Sequence, residues 1–589
     1  MAELLPTPPA GPRCLHKGLL AATAAALAVA LAPAIAPPPS AASHDVSIIV
    51  RELPGAGDSP ERLVHELGGR VERHIRIIRG FIAEVPAARL DALRSSSSIY
   101  SVTRNARIEL HQVSSSYDPS NDLGSLYNVN RQIQAPEMWK KGWTGRGVGI
   151  ALIDSGVVPV NGLSTPGKIV NGLDISFESQ AENLRYLDSF GHGTHMAGII
   201  AGRDSAAVAG SYDKKEYAVG VAPEAHIVNV KVADYEGATD VSQVLAAIDW
   251  VVEHRNDSGL NIRVLNLSFG TDGTQGYGVD PLAHAAEVAW RKGIVVVVAA
   301  GNSGFGTPKL NNPAYDPYVI AVGATQANAT PDATDDSVPA WSSRGDGTRN
   351  PDLVAPGTSI ASLRAPGSYI DGLNPQAVVY DRFFKGSGTS QSAAVVSGAA
   401  ALIVHQRPSA TPDQVKKLLM SYADRMPNAD AVAQGAGVVN LKKVVDAKTP
   451  PAAQAFVPST GLGSIDAARG TARLYDDGLP ISGEQDIFGT PWNAPLWAAA
   501  STAGTSWNLG LWNGKSWSGD CWCATTWAGK SWSGKSWSGM SWSGKSWSSI
   551  MFSGKSWSGK SWSSGSWSGK SWSGKSWSGN AWSTARWGP

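Results

Sequence analysis

Cysteine is almost missing from this chain: of its three, Cys14, Cys521 and Cys523, none falls between residues 15 and 520. A disulfide framework is therefore excluded for the main body, which packing must hold together. Net charge is missing too, with 50 Lys and Arg against 49 Asp and Glu, a formal +1. No global field exists to draw the chain to nucleic acid or to a strongly acidic partner, so any charge argument must be local, and nucleic acid is not expected among its partners. Long apolar runs are confined to one place. Only GLLAATAAALAVALAPAIA, near the start, approaches the ~20 residues that span a bilayer.

That run follows Arg13, His16 and Lys17 and precedes Pro37, Pro38, Pro39 and small residues. The order reads as a signal peptide over residues 1–42. Cleavage is expected after Ala42, with Ser40 and Ala42 as the two small residues, because a cut after Ala36 leaves proline just downstream. An uncleaved anchor is the other reading, and Pro33 and the alanine content speak against it. The rest of the chain is expected to be soluble and exported. Its length of 589 residues calls for three or four separable segments.

Residues 43–115 carry one compact pattern. DVSIIVREL alternates like a strand; Asp58, Ser59 and Pro60 open a helix whose Leu63, Val64 and Leu67 form one stripe before Gly68. VERHIRII and GFIAEV read as two strands, PAARLDALRS as a helix and IYSVTRNARIEL as a last strand. The order βαββαβ is a small α+β, ferredoxin-like unit.

Residues 116–447 change character, with short apolar runs (VGIALID, HIVNVKV, RVLNLSF, GIVVVVAAG, YVIAVGA) alternating with helical stretches. Runs apolar on both faces mean strands covered on both sides, so the expected fold is α/β, three layers around a mostly parallel central sheet. Such sheets bind ligands beyond the carboxyl ends of their strands, and the chemistry is expected there. Residues 448–500, rich in Pro, Ala and Gly, read as a linker. Residues 501–589 form a low-complexity tail of SWSGK pentapeptides, with an aromatic at every fifth position from Trp507 to Trp587 and Phe552 standing in once.

The strand ends hold a consistent set of side chains. VGIALID ends at Asp154 in DSG; GHGTHMAGIIAG puts His192 at a helix entrance; GSGTSQSAAVVSGAAALIV puts Ser390 at another. A serine hydroxyl becomes a nucleophile when an imidazole takes its proton, and the imidazole works best when a buried carboxylate fixes its tautomer. A helix N-terminus also points unsatisfied N–H groups at developing negative charge. The side-chain amide of Asn302, in AAGNSG just after the strand GIVVVV, supplies a second donor for an oxyanion.

IDSG, HGTHMAG, LNLSFG, AAGNSG, SSRG with PDLVAPG, and GTSQSAA resemble, in order and separation, the motifs of the subtilisin family of serine proteases over about 330 residues. The resemblance implies a subtilisin-like serine endopeptidase acting on proteins or peptides, with Asp154, His192 and Ser390 as charge-relay residues and Asn302 as oxyanion donor. It implies Ser268, Phe269 and Gly270 as the segment that pairs with the substrate backbone beside the pocket, with Gly237 and Ala238 as the facing edge by a looser match. His195, one turn on from His192, is expected to be structural. The floor of the pocket is expected from KLNNPAYDP, where Asn311 or Asn312 makes it more polar. No cofactor is implied for the chemistry and no metal ligand is named. The segment GRDSAAVAGSYDKKEYAVGVAP lacks the Asn-rich pattern that binds calcium in many relatives, so calcium dependence does not carry over. Gln391 to Ala394 also depart from the family, which commonly continues GTS with Met-Ala and then a proline.

Residues 43–115 resemble the inhibitory propeptide of the same family, which implies a self-inhibited zymogen with its own propeptide as a partner, the stretch from Leu110 to about Asn121 lying in the cleft. The tail does not belong to the resemblance. Five extended residues reach ~17 Å and an odd period alternates the faces its aromatics occupy, so no ordinary two-layer core results. Trp rings stack on sugars and the interleaved lysines attract anionic polymers, pointing to retention on a cell wall or glycan; a tail without specific ligand is the plainer reading. Cys521 and Cys523 are too close for an easy mutual disulfide. Against the secreted protease stands a secreted envelope-binding protein with an inactive protease-like domain, which the intact Asp, His, Ser and Asn set disfavours.

Overall fold

The computed structural model describes residues 45–75, 78–105, 117–179, 183–306, 309–476, 479–487, 489–508, 511–513, 515–516, 541–542, 560–561 and 586–587. The expected signal peptide, all three cysteines, residues 110–116 of the expected cleft-filling stretch and most of the pentapeptide tail lie outside them. The chain divides into two units, with the boundary at Gln112 and Val113.

In the first unit the elements run β1 (Asp45–Glu52), α1 (Ser59–Glu66), β2 (Arg70–Ile75), β3 (Gly80–Pro86), α2 (Leu90–Arg94) and β4 (Ile99–Arg104). The sheet order is β2-β3-β1-β4, with every neighbouring pair antiparallel. Alternation decides the core: Ile48 and Val50 of β1 turn inward with Phe81, Ala83 and Val85 of β3, against Val64 of α1 and Leu90 and Leu93 of α2.

The second unit begins with α3 (Leu126–Gln132) and α4 (Ala135–Trp139), followed by β5 (Gly149–Asp154), β6 (Ile169–Asp174), α5 (His192–Ala201), β7 (His226–Lys231), α6 (Val241–His254), β8 (Ile262–Leu267), α7 (Pro281–Arg291), β9 (Val295–Ala299), β10 (Ile320–Thr325) and β11 (Leu353–Pro356). Then come β12 (Ile360–Leu363), α8 (Tyr369–Leu373), β13 (Val378–Val379), β14 (Phe383–Ser387), α9 (Thr389–Gln406), α10 (Pro412–Ser421), α11 (Ala431–Gln434), α12 (Leu441–Val445), α13 (Ile465–Arg469) and α14 (Ala494–Ala503). Seven strands form the main sheet in the order β11-β10-β9-β8-β5-β7-β6, and every pairing is parallel. Every residue of β5, β9 and β10 is buried, as strands covered on both faces require. Helices α5 and α9 pack on each other, as do α6 and α7. Among the described residues no helix is long and apolar enough to cross a membrane.

The stretch read as a linker is corrected by the structure. Arg469 of α13 is fully buried, and its Nε donates to Asp240 Oδ2 at 2.7 Å, where Asp240 caps α6. His284 of α7 meets the carbonyls of Ser459 at 2.8 Å and Ala498 at 3.3 Å. Two aromatics of the array go the same way: Trp507 Nε1 donates to Ala246 O and Trp512 Nε1 to Asp249 Oδ2, both at 2.9 Å. Helix α6 is apolar nearly all round, and a helix of that kind needs cover on its outer side as well as its inner one. Ile487, Trp497, Ser501, Trp507 and Trp512 supply that cover, each hydrogen-bonded to α6. Composition misled here because Pro, Ala and Gly say nothing about burial. Farther on, the backbones of Arg586 and Trp587 pair antiparallel with Ser387 and Gly386 of β14.

Candidate active site

The parallel sheet brings its strand ends to one edge, and the chain leaves them through short turns. Asp154 is the last residue of β5, Ser268 follows β8, Asn302 follows β9, and His192 and Ser390 open α5 and α9. His192 Nδ1 lies 2.9 Å from each carboxylate oxygen of Asp154, with both side chains buried. Gly191, just before the histidine, has φ +108°, and a Cβ there would fall 2.4 Å from Ser368 Oγ. Only glycine turns the chain into α5 at this point.

Ser390 is buried, and its Oγ donates to the carbonyl of Ser268 at 2.9 Å; Ser268 Oγ returns a bond to the Ser390 carbonyl at 3.1 Å. Asn266 extends this lacing, donating to Ser268 Oγ at 2.8 Å and accepting from Ser397 Oγ at 2.8 Å. The start of α9 is thus bound to the end of β8. Asn302 Oδ1 accepts from Thr389 N at 2.9 Å and Thr389 Oγ1 at 3.0 Å, and Gly301 N donates to Thr389 Oγ1 at 3.1 Å. With its oxygen so engaged, the amide nitrogen of Asn302 lies 3.4 Å from where a Cβ on Gly388 would stand, two residues before Ser390. The backbone N–H groups of a helix start and a side-chain amide therefore share one small region, an arrangement suited to a developing oxyanion.

Residues 145–438 match the Subtilase family. The chain is 38% identical to serine protease AprX of Bacillus subtilis over 309 residues, 51% of this chain and 67% of that protein. It is 30% identical to subtilisin E of the same organism over 382 residues, 64% of this chain and 84% of the relative. Minor extracellular protease Epr of Bacillus subtilis is 32% identical over 286 residues, 48% of this chain and 36% of that protein. The chain belongs to the subtilase family. It is a subtilisin-like serine endopeptidase, a hydrolase, and subtilases need no cofactor for catalysis.

In this subtilase the remaining expected residues fall as follows. Ser268 and Phe269 are buried, Ser268 against Ser390, and a Cβ on Gly270 would meet Asn311 Cβ at 2.8 Å. Gly237 sits in a turn held by Gly237 N donating to Asp234 O at 3.0 Å, and its Cα faces the ring of Phe190, two residues before His192. His195 is fully buried; burial, helped by the charge of His192, pushes its imidazole down to about 3. Helix α9 runs unbroken from Thr389 to Gln406 without the proline usual near its start. Gln391 is buried with neither end of its carboxamide hydrogen-bonded.

Sequence reasoning passed over Asp188. Its Oδ1 accepts from Ser155 Oγ at 2.8 Å and Gly191 N at 2.6 Å, and its Oδ2 from Thr194 N at 2.7 Å. One buried carboxylate thereby ties the residue after Asp154 to the first turn of α5, and burial pushes its carboxyl up despite these donors. The signal was present, an Asp four residues before the histidine, where it reaches the free N–H groups of the helix start. Charges of the loop after α5 are paired, Asp204 with Arg382 just before β14 and Arg203 with Glu224 at 3.6 Å. Among the described residues the side chains close enough to share a metal ion are Glu52, Glu61 and His74 of the first unit, away from that loop in sequence.

Proposed function

We propose that this subtilase cuts peptide bonds with Asp154, His192 and Ser390 as its charge-relay residues and Asn302 as side-chain donor to the oxyanion. One observation carries the reading: His192 Nδ1 is held against both oxygens of Asp154. That contact keeps the proton on Nδ1 and leaves Nε2 as the base. In the resting enzyme the Ser390 hydroxyl points at the Ser268 carbonyl. A bound substrate turns it to His192. Nε2 takes the proton as Oγ attacks the carbonyl carbon, and the oxygen charge falls among the α9 N–H groups and the Asn302 amide. The imidazolium then protonates the leaving amine, and water repeats the steps in reverse to free the acyl group. Ser268, Phe269 and Gly270 hold the substrate backbone, with Gly237 opposite.

The remaining segments follow from the same reading. Residues 1–42 direct export, residues 43–115 inhibit the enzyme until they are cut away, and the peptidase runs over 116–447 with the stretch after it packed on its surface. The extracellular relative Epr and the resemblance of the first unit to an inhibitory propeptide support secretion as a zymogen. The tail beyond residue 516 gives many weak contacts to a cell wall or glycan, supported by its Trp and Lys composition. A casein plate tests the central assignment. The clearing halo is expected to vanish with Ser390→Ala, and an unchanged halo rejects it. N-terminal sequencing of the exported product locates the processing site. Deletion of residues 517–589 is expected to abolish pull-down with purified cell wall; unchanged retention rejects the role of the tail.

A further inference from the structure

Asn311 is a buried polar residue that the chemistry above leaves unused. It is 6% exposed, and its Nδ2 is buried with no hydrogen-bond partner. The backbone holds it in place: Asn311 N donates to Ala300 O at 3.1 Å, and Tyr315 N donates to Asn311 O at 3.0 Å. Its carboxamide is wedged between two glycines. A Cβ on Gly270 would stand 2.8 Å from Asn311 Cβ, and one on Gly301 would stand 2.3 Å from Asn311 Oδ1. Gly270 belongs to the segment proposed to hold the substrate backbone, and Gly301 precedes Asn302. The next residue turns elsewhere, with Asn312 Nδ2 reaching Asp280 Oδ2 at 3.5 Å.

Buried amides are nearly always hydrogen-bonded, so an orphan lodged between the segment proposed to hold the substrate and the turn that carries Asn302 calls for a ligand that brings the partner. We infer that Asn311 forms the floor of the pocket for the side chain preceding the cut bond, and that it selects side chains ending in a carbonyl or carboxylate oxygen, Gln above Glu, over Leu and Phe. The inference rests on the proposed reading of the cleft. A Leu or Phe side chain seals the amide away from water without an acceptor. Gln supplies an oxygen to Nδ2 and a donor for Oδ1. A site left with one unmatched hydrogen bond of this kind discriminates by ~10-fold to ~100-fold.

The test uses the secreted, processed enzyme and a peptide series that differs only in the residue before the scissile bond. For the wild type, kcat/KM for Gln is expected to exceed that for Leu by ~10-fold or more. Asn311→Leu is expected to invert the ratio and Asn311→Ser to flatten it. The ratio is internal to each variant, so a partly folded preparation does not distort it. A wild type that prefers Leu or Phe, or an Asn311→Leu enzyme with an unmoved ratio, overturns the inference. Ser390→Ala, run beside them, separates the two claims. Loss of all cleavage in that variant with an unmoved ratio in Asn311→Leu leaves the serine mechanism standing alone, while cleavage that survives Ser390→Ala overturns both.

Discussion

Trp512 Nε1 donates to Asp249 Oδ2 at 2.9 Å across 263 residues of sequence, joining the repeat array to the outer face of α6. The carboxylate is fully buried and also takes bonds from Trp497 Nε1 at 2.9 Å and Ser501 Oγ at 2.6 Å. Trp512→Ala removes one donor and a large ring together. A loss of about 3 to 5 kcal/mol is expected, read as a lower midpoint in denaturant. A chain ending at residue 447 strips every donor from Asp249 and is expected to be recovered unfolded or aggregated; a soluble, active product of that length would show that the packed stretch is dispensable.

Asp154→Asn should leave the fold intact, because the two side chains have the same shape, yet it presents an N–H to His192 Nδ1 and favours the wrong tautomer. A fall in kcat of roughly 10,000-fold is expected near neutral pH, as in related triads. Circular dichroism measured beside the kinetics distinguishes this from misfolding.

Asn302→Ala removes the side-chain donor while the α9 N–H groups remain. Related enzymes lose ~100-fold to ~1,000-fold in turnover with such a donor. The effect belongs in kcat, and a change confined to KM would place Asn302 in ground-state binding instead.

Gln391→Met replaces a buried carboxamide that has no partner with an apolar side chain of similar length. Such an orphan costs about 1 to 3 kcal/mol, so the variant is expected to unfold at a higher temperature than the wild type. A lower melting temperature would mean that the carboxamide makes a contact in solution.

Glu253 provides a pH test of the same docking. Burial, with Asp249 nearby, lifts its carboxyl from the usual 4.5 to about 7, against the opposing bond from Trp507 N at 2.9 Å. The folded protein then keeps a proton that the unfolded chain has lost. This contribution to stability is complete below pH 4.5 and is lost as the pH rises through about 7. The melting temperature of the wild type is expected to fall between pH 5 and pH 8 relative to Glu253→Gln, and parallel curves would contradict the assignment.

The α/β architecture was legible because strands buried on both faces write themselves as unbroken runs such as GIVVVV, and because glycine-rich turns mark where those runs stop. The candidate residues were legible for a related reason: DSG, HGTH, AAGNSG and GTS each sit at a strand end or helix start, where local backbone geometry restricts which residues fit. Asp188 left a weaker trace, a helix-capping signal overshadowed by the histidine it positions. The linker was misread because its burial depends on α6, more than two hundred residues away in the chain.

Sequence alone determined the periodic pattern of the sheet strands and the order of the motif-bearing turns, since both are written in runs of neighbouring residues. Tertiary structure alone decided that His192 Nδ1 meets both oxygens of Asp154, that Trp507 and Trp512 of the array dock on Ala246 and Asp249 of α6, and that Asn311 lies between Gly270 and Gly301 while Asn312 turns toward Asp280. Most of these pairings join residues far apart in the chain, and the direction that each of two adjacent asparagines takes is set by the packing of strands that neither belongs to.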